Sequence, residues 1–338
     1  MKQIKLSVLD QSVIRTGSNV RETLLETMAL AQMADKLGYS RFWVSEHHNI
    51  ATIAGSTPEV LLAFLTAHTE YIRLGSAGVM LPNHSSLKVA ENFRMLEALA
   101  PGRIDLGVGR APGGDRLTAR ILNPQNTFSD KDFVQQIMDL QHFLTDHAPE
   151  GTLYEKVKAM PQAETAPPIW LLTSSGGSAS VAAHFGTALS FAHFINPSGG
   201  PEVVHQYRET FRPSETLSAP LANFGIFAFT SENPEAVERW QTIMDYRLLQ
   251  IERGSDAALP SYEAIREQEY MPDEQLRVNY NRRRMICGSP EVVKAKITAL
   301  CETYEVDEAV ISTIAEHADE RMESFRLLAK AFGLTPRN

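Results

Sequence analysis

The chain has 338 residues, 43% of them hydrophobic, and a formal net charge of −9. It is long enough to bury a large core, and it lacks the basic excess of a nucleic-acid-binding protein. Its two cysteines, Cys287 and Cys301, form no CxxC pair, which argues against a disulfide framework or a structural zinc site. The N-terminus lacks a secretory pattern, and no window approaches the ~18 apolar residues of a membrane span. We therefore expect a cytoplasmic protein with a small-molecule partner.

Short apolar strands alternate with longer helical patterns along almost the whole chain, which is typical of repeated β-α units. We expect strands at residues 4–10, 41–45, 72–81, 104–110, 168–175, 188–194, 222–230 and 308–313. Asn19 and Gly38 are suited to begin and end the first helix. Pro58, Pro234 and Pro290 are suited to the first positions of three later helices.

Eight β-α units predict a closed TIM (β/α)8 barrel that forms a single domain over residues 1–338. Such a barrel needs only ~250 residues, so insertions are expected after strands 4 and 7, within 112–167 and 254–285. Residues 254–285 are polar and charged, and we expect them to be irregular. A doubly wound open sheet is the alternative, because periodicity alone does not establish closure. In a barrel, the active site lies on the loops that follow the strands.

Four polar residues follow the second predicted strand: Glu46, His47, His48 and Asn49. A metal bound by both histidines is disfavoured, because consecutive residues of a strand point to opposite sides and no HExxH spacing is present. A histidine that only hydrogen-bonds the barrel rim is the simpler interpretation. The position of all four residues at the predicted mouth favours a functional role.

A Gly/Ser stretch, residues 173–180, joins the fifth strand to a helix and leaves backbone N–H groups and serine hydroxyls free to surround a phosphate. Arg110 follows the fourth strand, where its guanidinium is suited to face the same phosphate. The alternatives are a plain helix-capping turn and an ion-paired rim arginine.

The third strand carries small residues, Gly75, Ala77 and Gly78, where bulky ones are the norm. Small residues there indicate either close approach by a ligand ring or a barrel bulge. Periodicity does not separate these two interpretations.

Several strings together resemble the bacterial luciferase-like flavin-dependent monooxygenases in order and spacing, over about residues 4 to 330. They are "RFWVSEHHN", "STPEVLLAFLTAHTEYIRLGSAGVMLPNH", "VAENFRMLEALAPGRIDLGVGRAPGGD", "SSGGSASVAAHFG" and "CGSPEVVKAKI". The resemblance implies a TIM barrel that uses reduced FMN, delivered by a separate NAD(P)H-dependent flavin reductase. It further implies O2 as the oxidant, a flavin C4a-peroxide that oxygenates a small organic substrate, and a homodimer formed through helices 58–70 and 86–99.

Residue roles follow from the same resemblance. His47 matches the family histidine that supports the oxygenated flavin, and Ala77 and Gly78 match a non-proline cis peptide against the flavin ring. The positions implied in phosphate binding are Arg110, Ser174, Ser175, Gly176, Gly177 and Ser178. Gly109 and Ser174 stand where light-emitting members have cysteine and glutamate, so the resemblance does not imply light emission or a long-chain aldehyde substrate.

Three other functions are also compatible with the sequence. A deazaflavin (F420) cofactor for hydride transfer occurs on the same barrel, and a flavin-binding protein without catalysis would keep the phosphate site. A metal-dependent hydrolase would use His47, His48 and a distant carboxylate. Aldehydes, ketones and organosulfur compounds are all candidate substrates.

Overall fold

A computed structural model describes residues 3–337 and has the predicted alternation of strands and helices. The strands are β1 Lys5–Asp10, β2 Arg41–Val44, β3 Arg73–Ser76, β4 Val79–Met80, β5 Ile104–Gly109, β6 Ile169–Thr173, β7 Ala188–Ala192, β8 Ala222–Thr230, β9 Met285–Gly288 and β10 Glu308–Ser312. The α-helices are α1 Val20–Leu37, α2 Pro58–Thr66, α3 Ser86–Leu99, α4 Arg116–Leu122, α5 Asp130–Thr145, α6 Gly176–Phe185, α7 Gly200–Thr210, α8 Pro234–Glu252, α9 Tyr262–Ile265, α10 Pro272–Asn281, α11 Pro290–Tyr304 and α12 Ala318–Phe332. Within residues 3–337, no helix is long and apolar enough to cross a membrane.

Eight of the strands close into a parallel barrel. β1, β2, β3, β5, β6, β7, β8 and β10 pair in this order, and β10 pairs with both β8 and β1. Val8 lies opposite Phe42 between the first two strands, and Ala309 lies opposite Phe224 between β10 and β8. The predicted TIM barrel is confirmed, and the open-sheet alternative is wrong.

The helix ends lie where the capping residues predict them. The Asn19 side chain accepts a hydrogen bond of 3.0 Å from the backbone N–H of Glu22, and α1 starts at the next residue after Asn19. Gly38 ends α1 with a φ of +88°, a conformation that favours glycine. Pro58 occupies the first turn of α2, where its missing N–H removes no helical hydrogen bond.

The insertions follow the fourth and seventh barrel strands, β5 and β8, as predicted. After β5, α5 is held against α3 by the buried Arg94, which donates to the carbonyls of Phe143 and Leu144 at 2.9 and 3.1 Å. After β8, the expectation of irregular structure over 254–285 is wrong in part, because α9 and α10 form there and pack on α8. β9 was not predicted, and it pairs with the last four residues of β8.

Charged side chains close the N-terminal end of the barrel. The buried Asp105 accepts hydrogen bonds from Arg41, Arg73 and the Trp43 indole N–H. Arg41 also donates to Glu308 at 2.9 Å. This charged floor lies at the starts of the strands, at the end of the barrel opposite the loops that follow them.

A second hydrophobic core lies between the end of β8 and the insertion that follows it. The Phe229 ring stacks on Trp240 of α8 with ring centroids 5.5 Å apart. The Trp240 indole N–H donates to the Ile314 carbonyl at 2.6 Å, beyond the end of β10. The insertion is thereby packed onto the C-terminal rim of the barrel.

Candidate functional site

A cavity of about 280 Å³, called the mouth cavity below, lies among the C-terminal ends of the barrel strands. Six of the nine residues predicted from the sequence line it: His47, Ala77, Arg110, Ser174, Ser175 and Ser178. Larger cavities of about 500 Å³ beside Cys301 and about 380 Å³ between α1 and α2 contain none of the nine. The mouth cavity is therefore the candidate active site, since convergence of chemical groups selects it where volume alone does not.

His47 lies in the cavity wall just beyond β2. Its backbone N–H donates to the Gly55 carbonyl at 2.9 Å, which fixes the chain direction after the strand. Burial lowers the pKa of the imidazole below its usual 6.5, against an opposing hydrogen bond to the Gly113 backbone. At neutral pH the ring is neutral, so one of its nitrogens accepts a hydrogen bond and the other donates one.

Glu46 and His48 belong to a different cluster from His47. The buried Glu46 carboxylate accepts hydrogen bonds from His48 Nε2 at 2.7 Å and His84 Nε2 at 2.8 Å. Its other oxygen accepts the Met80 backbone N–H at 3.0 Å. Burial raises the Glu46 pKa, but the hydrogen bonds from His84 and His48 and the charge of His84 leave it below the usual 4.5. The cluster therefore ties the end of β2 to β4 and the segment after it.

This cluster also bears on the metal-site alternative. The ligand atoms of Glu46, His48 and His84 all lie within 4.8 Å of one another. Each histidine nitrogen faces a carboxylate oxygen at hydrogen-bond distance, so each one donates a hydrogen bond to Glu46. The metal site considered from the sequence, with His47 beside His48, is not the arrangement found, because His47 alone of the two lines the mouth cavity.

The third predicted strand, 72–81, is interrupted at a cis peptide between Ala77 and Gly78 and continues as β4. Ala77 faces the mouth cavity, whereas Gly78 does not line it. A Cβ on Gly78 would lie 2.4 Å from Leu172 Cδ1 and 2.9 Å from the Gly107 carbonyl oxygen. Glycine is needed at residue 78 for the close packing of neighbouring strands, which is a different reason from the approach of a ligand ring.

The loop between β6 and α6 forms a cradle of hydroxyl and amide groups. Ser175 is the N-cap residue of α6, and its side chain makes no capping hydrogen bond. The first-turn amides of α6 are therefore left for an external acceptor, as is typical of phosphate sites. Asn196 fixes the loop by donating to the Ser174 carbonyl at 2.9 Å. Gly176 and Gly177 lie in that first turn but do not line the mouth cavity.

Arg110 lines the mouth cavity but is already paired. Its guanidinium forms an ion pair with Asp130, the first residue of α5, and both side chains are exposed. The ion-paired interpretation of Arg110 is thus the arrangement found. An exposed pair of this kind is weak, so a bound phosphate would compete effectively for the guanidinium.

Two polar residues of the cavity wall were missed at the sequence level. Ser45 is 4% exposed, and its hydroxyl has no hydrogen-bond partner among residues 3–337. Gln11 lines the cavity from the end of β1. The available signal for Ser45 was its position directly after β2, at the C-terminal end of a barrel strand.

These donors suit a ligand with a phosphate at one end and a polar ring at the other, as in FMN. The cradle and Arg110 supply amide, hydroxyl and guanidinium donors for a phosphate. Across the barrel mouth, the unpartnered Ser45 hydroxyl is a buried group that a ligand atom would satisfy. The residues present therefore fit this cofactor.

Comparisons with known proteins agree with this chemistry. The luciferase-like monooxygenase family matches residues 4–306. Among relatives from Bacillus subtilis (strain 168), YwcH is 46% identical and the N-acetyl-S-alkylcysteine monooxygenase 39%; both matches cover 97% of this chain, with 99% and 98% of the relatives. The crystal structure of apo-MsnO8 has 33% identity and a TM-score of 0.90, with 99% of both chains covered.

More distant structures share the barrel fold alone. The oxygenating constituent of 3,6-diketocamphane monooxygenase from Pseudomonas putida, in complex with FMN, has 18% identity and a TM-score of 0.71, with coverage of 99% of this chain and 100% of that one. An F420-dependent secondary alcohol dehydrogenase has 12% identity and a TM-score of 0.65, with coverage of 98% and 99%.

Fold and comparisons together define a flavin-dependent monooxygenase built on a TIM barrel. The chain belongs to the luciferase-like monooxygenase family.

Proposed function

We propose that the protein is a reduced-FMN-dependent monooxygenase that inserts one oxygen atom of O2 into a small organic substrate in the mouth cavity. The observation that carries the proposal is that Ser174, Ser175 and Ser178 of the cradle line the same cavity as Arg110 and the neutral imidazole of His47. One end of this cavity is suited to bind the cofactor phosphate. At another end, His47 is suited to accept or donate a proton beside the cofactor.

The chain's own residues would hold the cofactor as follows. The Ser175 and Ser178 hydroxyls and the first-turn amides at Gly176 and Gly177 bind the phosphate, and Arg110 neutralises its charge. Ala77 contacts the ring. FMNH2 held there would supply the two electrons needed to activate O2, so that one oxygen atom would enter the substrate and the other would leave as water.

His47 would hold or move a proton at one imidazole nitrogen while the floor and walls exclude bulk water. The neutral ring required for this persists to lower pH than usual, because burial lowers its pKa. We therefore expect the acid limb of the pH–rate profile to lie below pH 6.5.

A thioether is our first choice of substrate class. The support is the name of one relative, an N-acetyl-S-alkylcysteine monooxygenase with 39% identity over 97% of this chain. Oxygen transfer to the thioether sulfur gives a sulfoxide, which balances the oxygen atom that is not released as water.

The proposed setting is the cytoplasm, with an NAD(P)H-dependent flavin reductase supplying FMNH2 and a second copy of the chain as partner. Exposed apolar side chains on α2 and α3 support the homodimer: Val60, Phe64, Met95 and Leu99. Light scattering on the purified protein tests it, and a monomeric mass at micromolar concentration would contradict it.

Anaerobic titration with FMNH2, followed by mixing with oxygen-18 gas and N-acetyl-S-ethylcysteine, tests the proposed activity. We expect tight FMNH2 binding and one labelled oxygen atom in the sulfoxide. If an aldehyde or a ketone gave labelled product instead, the proposed substrate class would be wrong but the proposed monooxygenase activity would stand. Binding without labelled product would favour a non-catalytic flavin-binding protein, and binding of F420 in place of FMNH2 would contradict the cofactor.

A further inference from the structure

We propose that Ser45 is a further cofactor-binding residue, whose hydroxyl hydrogen-bonds the polar edge of the flavin ring in the mouth cavity. The inference rests on the proposed function. It assigns a ring-recognition role to a residue on the wall that faces the phosphate cradle.

The first support is the state of the hydroxyl itself. Ser45 is 4% exposed, and its Oγ is buried without a hydrogen-bond partner in the described chain. Burying a hydroxyl unpaired is unfavourable, and buried polar groups of native proteins are nearly always satisfied. Among the unpaired buried polar atoms of residues 3–337, the Ser45 hydroxyl is the one that belongs to a residue lining the mouth cavity.

The second support is the position of Ser45 around the barrel. Val44, the residue before it, pairs with Asp10 of β1 and Ser76 of β3. The next position along each strand therefore brings Ser45 between Gln11 and Ala77 at the rim. β3 and β5 separate β2 from β6, so Ser45 lies well around the barrel from the cradle that follows β6.

The third support is the shape of the ligand. FMN carries its phosphate at one end and its ring at the other, so a phosphate at the start of α6 directs the ring across the mouth. The pyrimidine part of the ring presents carbonyl groups and an N–H, and a serine hydroxyl both donates and accepts hydrogen bonds. His47, two residues further along the chain, lines the same cavity, so one short segment after β2 supplies both side chains to it.

Three substitutions at Ser45 test the hydroxyl separately from side-chain shape. Ser45→Thr keeps a hydroxyl, Ser45→Val has the shape of threonine without the hydroxyl, and Ser45→Ala removes the hydroxyl with the least change. The dissociation constant for FMNH2 is measured anaerobically, and inorganic phosphate is measured as a competitor. Ser178→Ala is the matched control, because it removes a hydroxyl from the cradle.

We expect the Ala and Val variants to bind FMNH2 roughly three- to tenfold more weakly, the range for loss of one neutral hydrogen bond. The Thr variant should stay within about twofold of the wild type on the same scale. Phosphate affinity should be unchanged in all three and reduced in Ser178→Ala. Absorbance of bound oxidised FMN should shift in the Ala and Val variants, and the melting temperature of the free Ala variant should not fall, since Oγ has no protein partner.

Several results would overturn the role of Ser45. They are unchanged FMNH2 affinity in the Ala variant, equal weakening by Thr and Val, and a lower melting temperature with unchanged affinity. Wild-type protein that binds no FMNH2 contradicts the proposed function itself, whereas wild-type binding that Ser45→Ala leaves unaltered contradicts this inference alone.

Discussion

Replacing Asp105 with Asn is expected to destabilise the protein by about 3–5 kcal/mol, the cost of leaving a buried charge uncompensated. One carboxylate oxygen accepts two hydrogen bonds from Arg73, and the other accepts from Arg41 and the Trp43 indole. Either orientation of an asparagine amide therefore turns its NH2 group towards donors. The arginines lose a buried negative charge in both cases.

The expected change in melting temperature follows from the size of the chain. At about 2.1 cal/mol/K per residue, the unfolding entropy of 338 residues is about 0.7 kcal/mol/K. A loss of about 3–5 kcal/mol then lowers the melting temperature by about 4–7 °C in a thermal scan at pH 7. Glu263→Gln is the control, because it removes an exposed pair with Arg266 and should shift the melting temperature by less than about 1.5 °C.

The pH dependence gives a second check on Asp105. Burial raises its pKa, but the charges of Arg41 and Arg73 hold it below the usual 3.8. The stabilisation by the ionised carboxylate is thus present above pH 3.8 and is lost as the pH falls through the lower folded-state pKa. A melting temperature for the Asn variant within about 1 °C of the wild type at pH 7 would refute the reasoning.

Four other variants test the site. His47→Ala should leave the FMNH2 dissociation constant within about twofold but slow oxygenation by roughly 10²- to 10⁴-fold in stopped-flow assays; a collapse of FMNH2 affinity would contradict its role. In calorimetric titrations at low salt, Arg110→Ala should weaken FMNH2 binding about tenfold. Asp130→Asn should strengthen it about twofold, because Arg110 is then free to bind the phosphate. Both effects should become smaller as the salt concentration rises. In Glu46→Gln, NMR titration should show a lower pKa for His84, because the carboxylate raises it against the effect of burial; an unchanged value would contradict the hydrogen bond.

The barrel was predictable because its strands are short apolar runs between clear helix boundaries. Asn19 and Pro58 marked helix starts through the capping physics of single residues. β9 was missed because Met285–Gly288 is short and its partner β8 lies on the other side of the insertion in the chain. The break after Ser76 was not predicted from strand periodicity, because apolar residues continue on both sides of it.

The site was predictable where a residue's position on a strand decides its role. His47 lies three residues beyond the end of β2, so the barrel topology alone placed it at the mouth. His84 was missed although it follows β4, because its contact with Glu46 depends on how two separate loops meet. Asp130 gave no distinctive signal, since an acidic residue in the first turn of a helix is common and its pairing with Arg110 spans an insertion.

The length of β8 has a consequence for how such enzymes diversify. Its first half pairs with β7 and β10, and its second half pairs with β9, with Phe227 opposite Met285 and Thr230 opposite Gly288. Residues 231–284 therefore leave the sheet at the end of β8 and return to it at β9, which pairs with β8. Exchange of this segment for that of a relative is therefore expected to leave the register of the eight barrel strands unchanged.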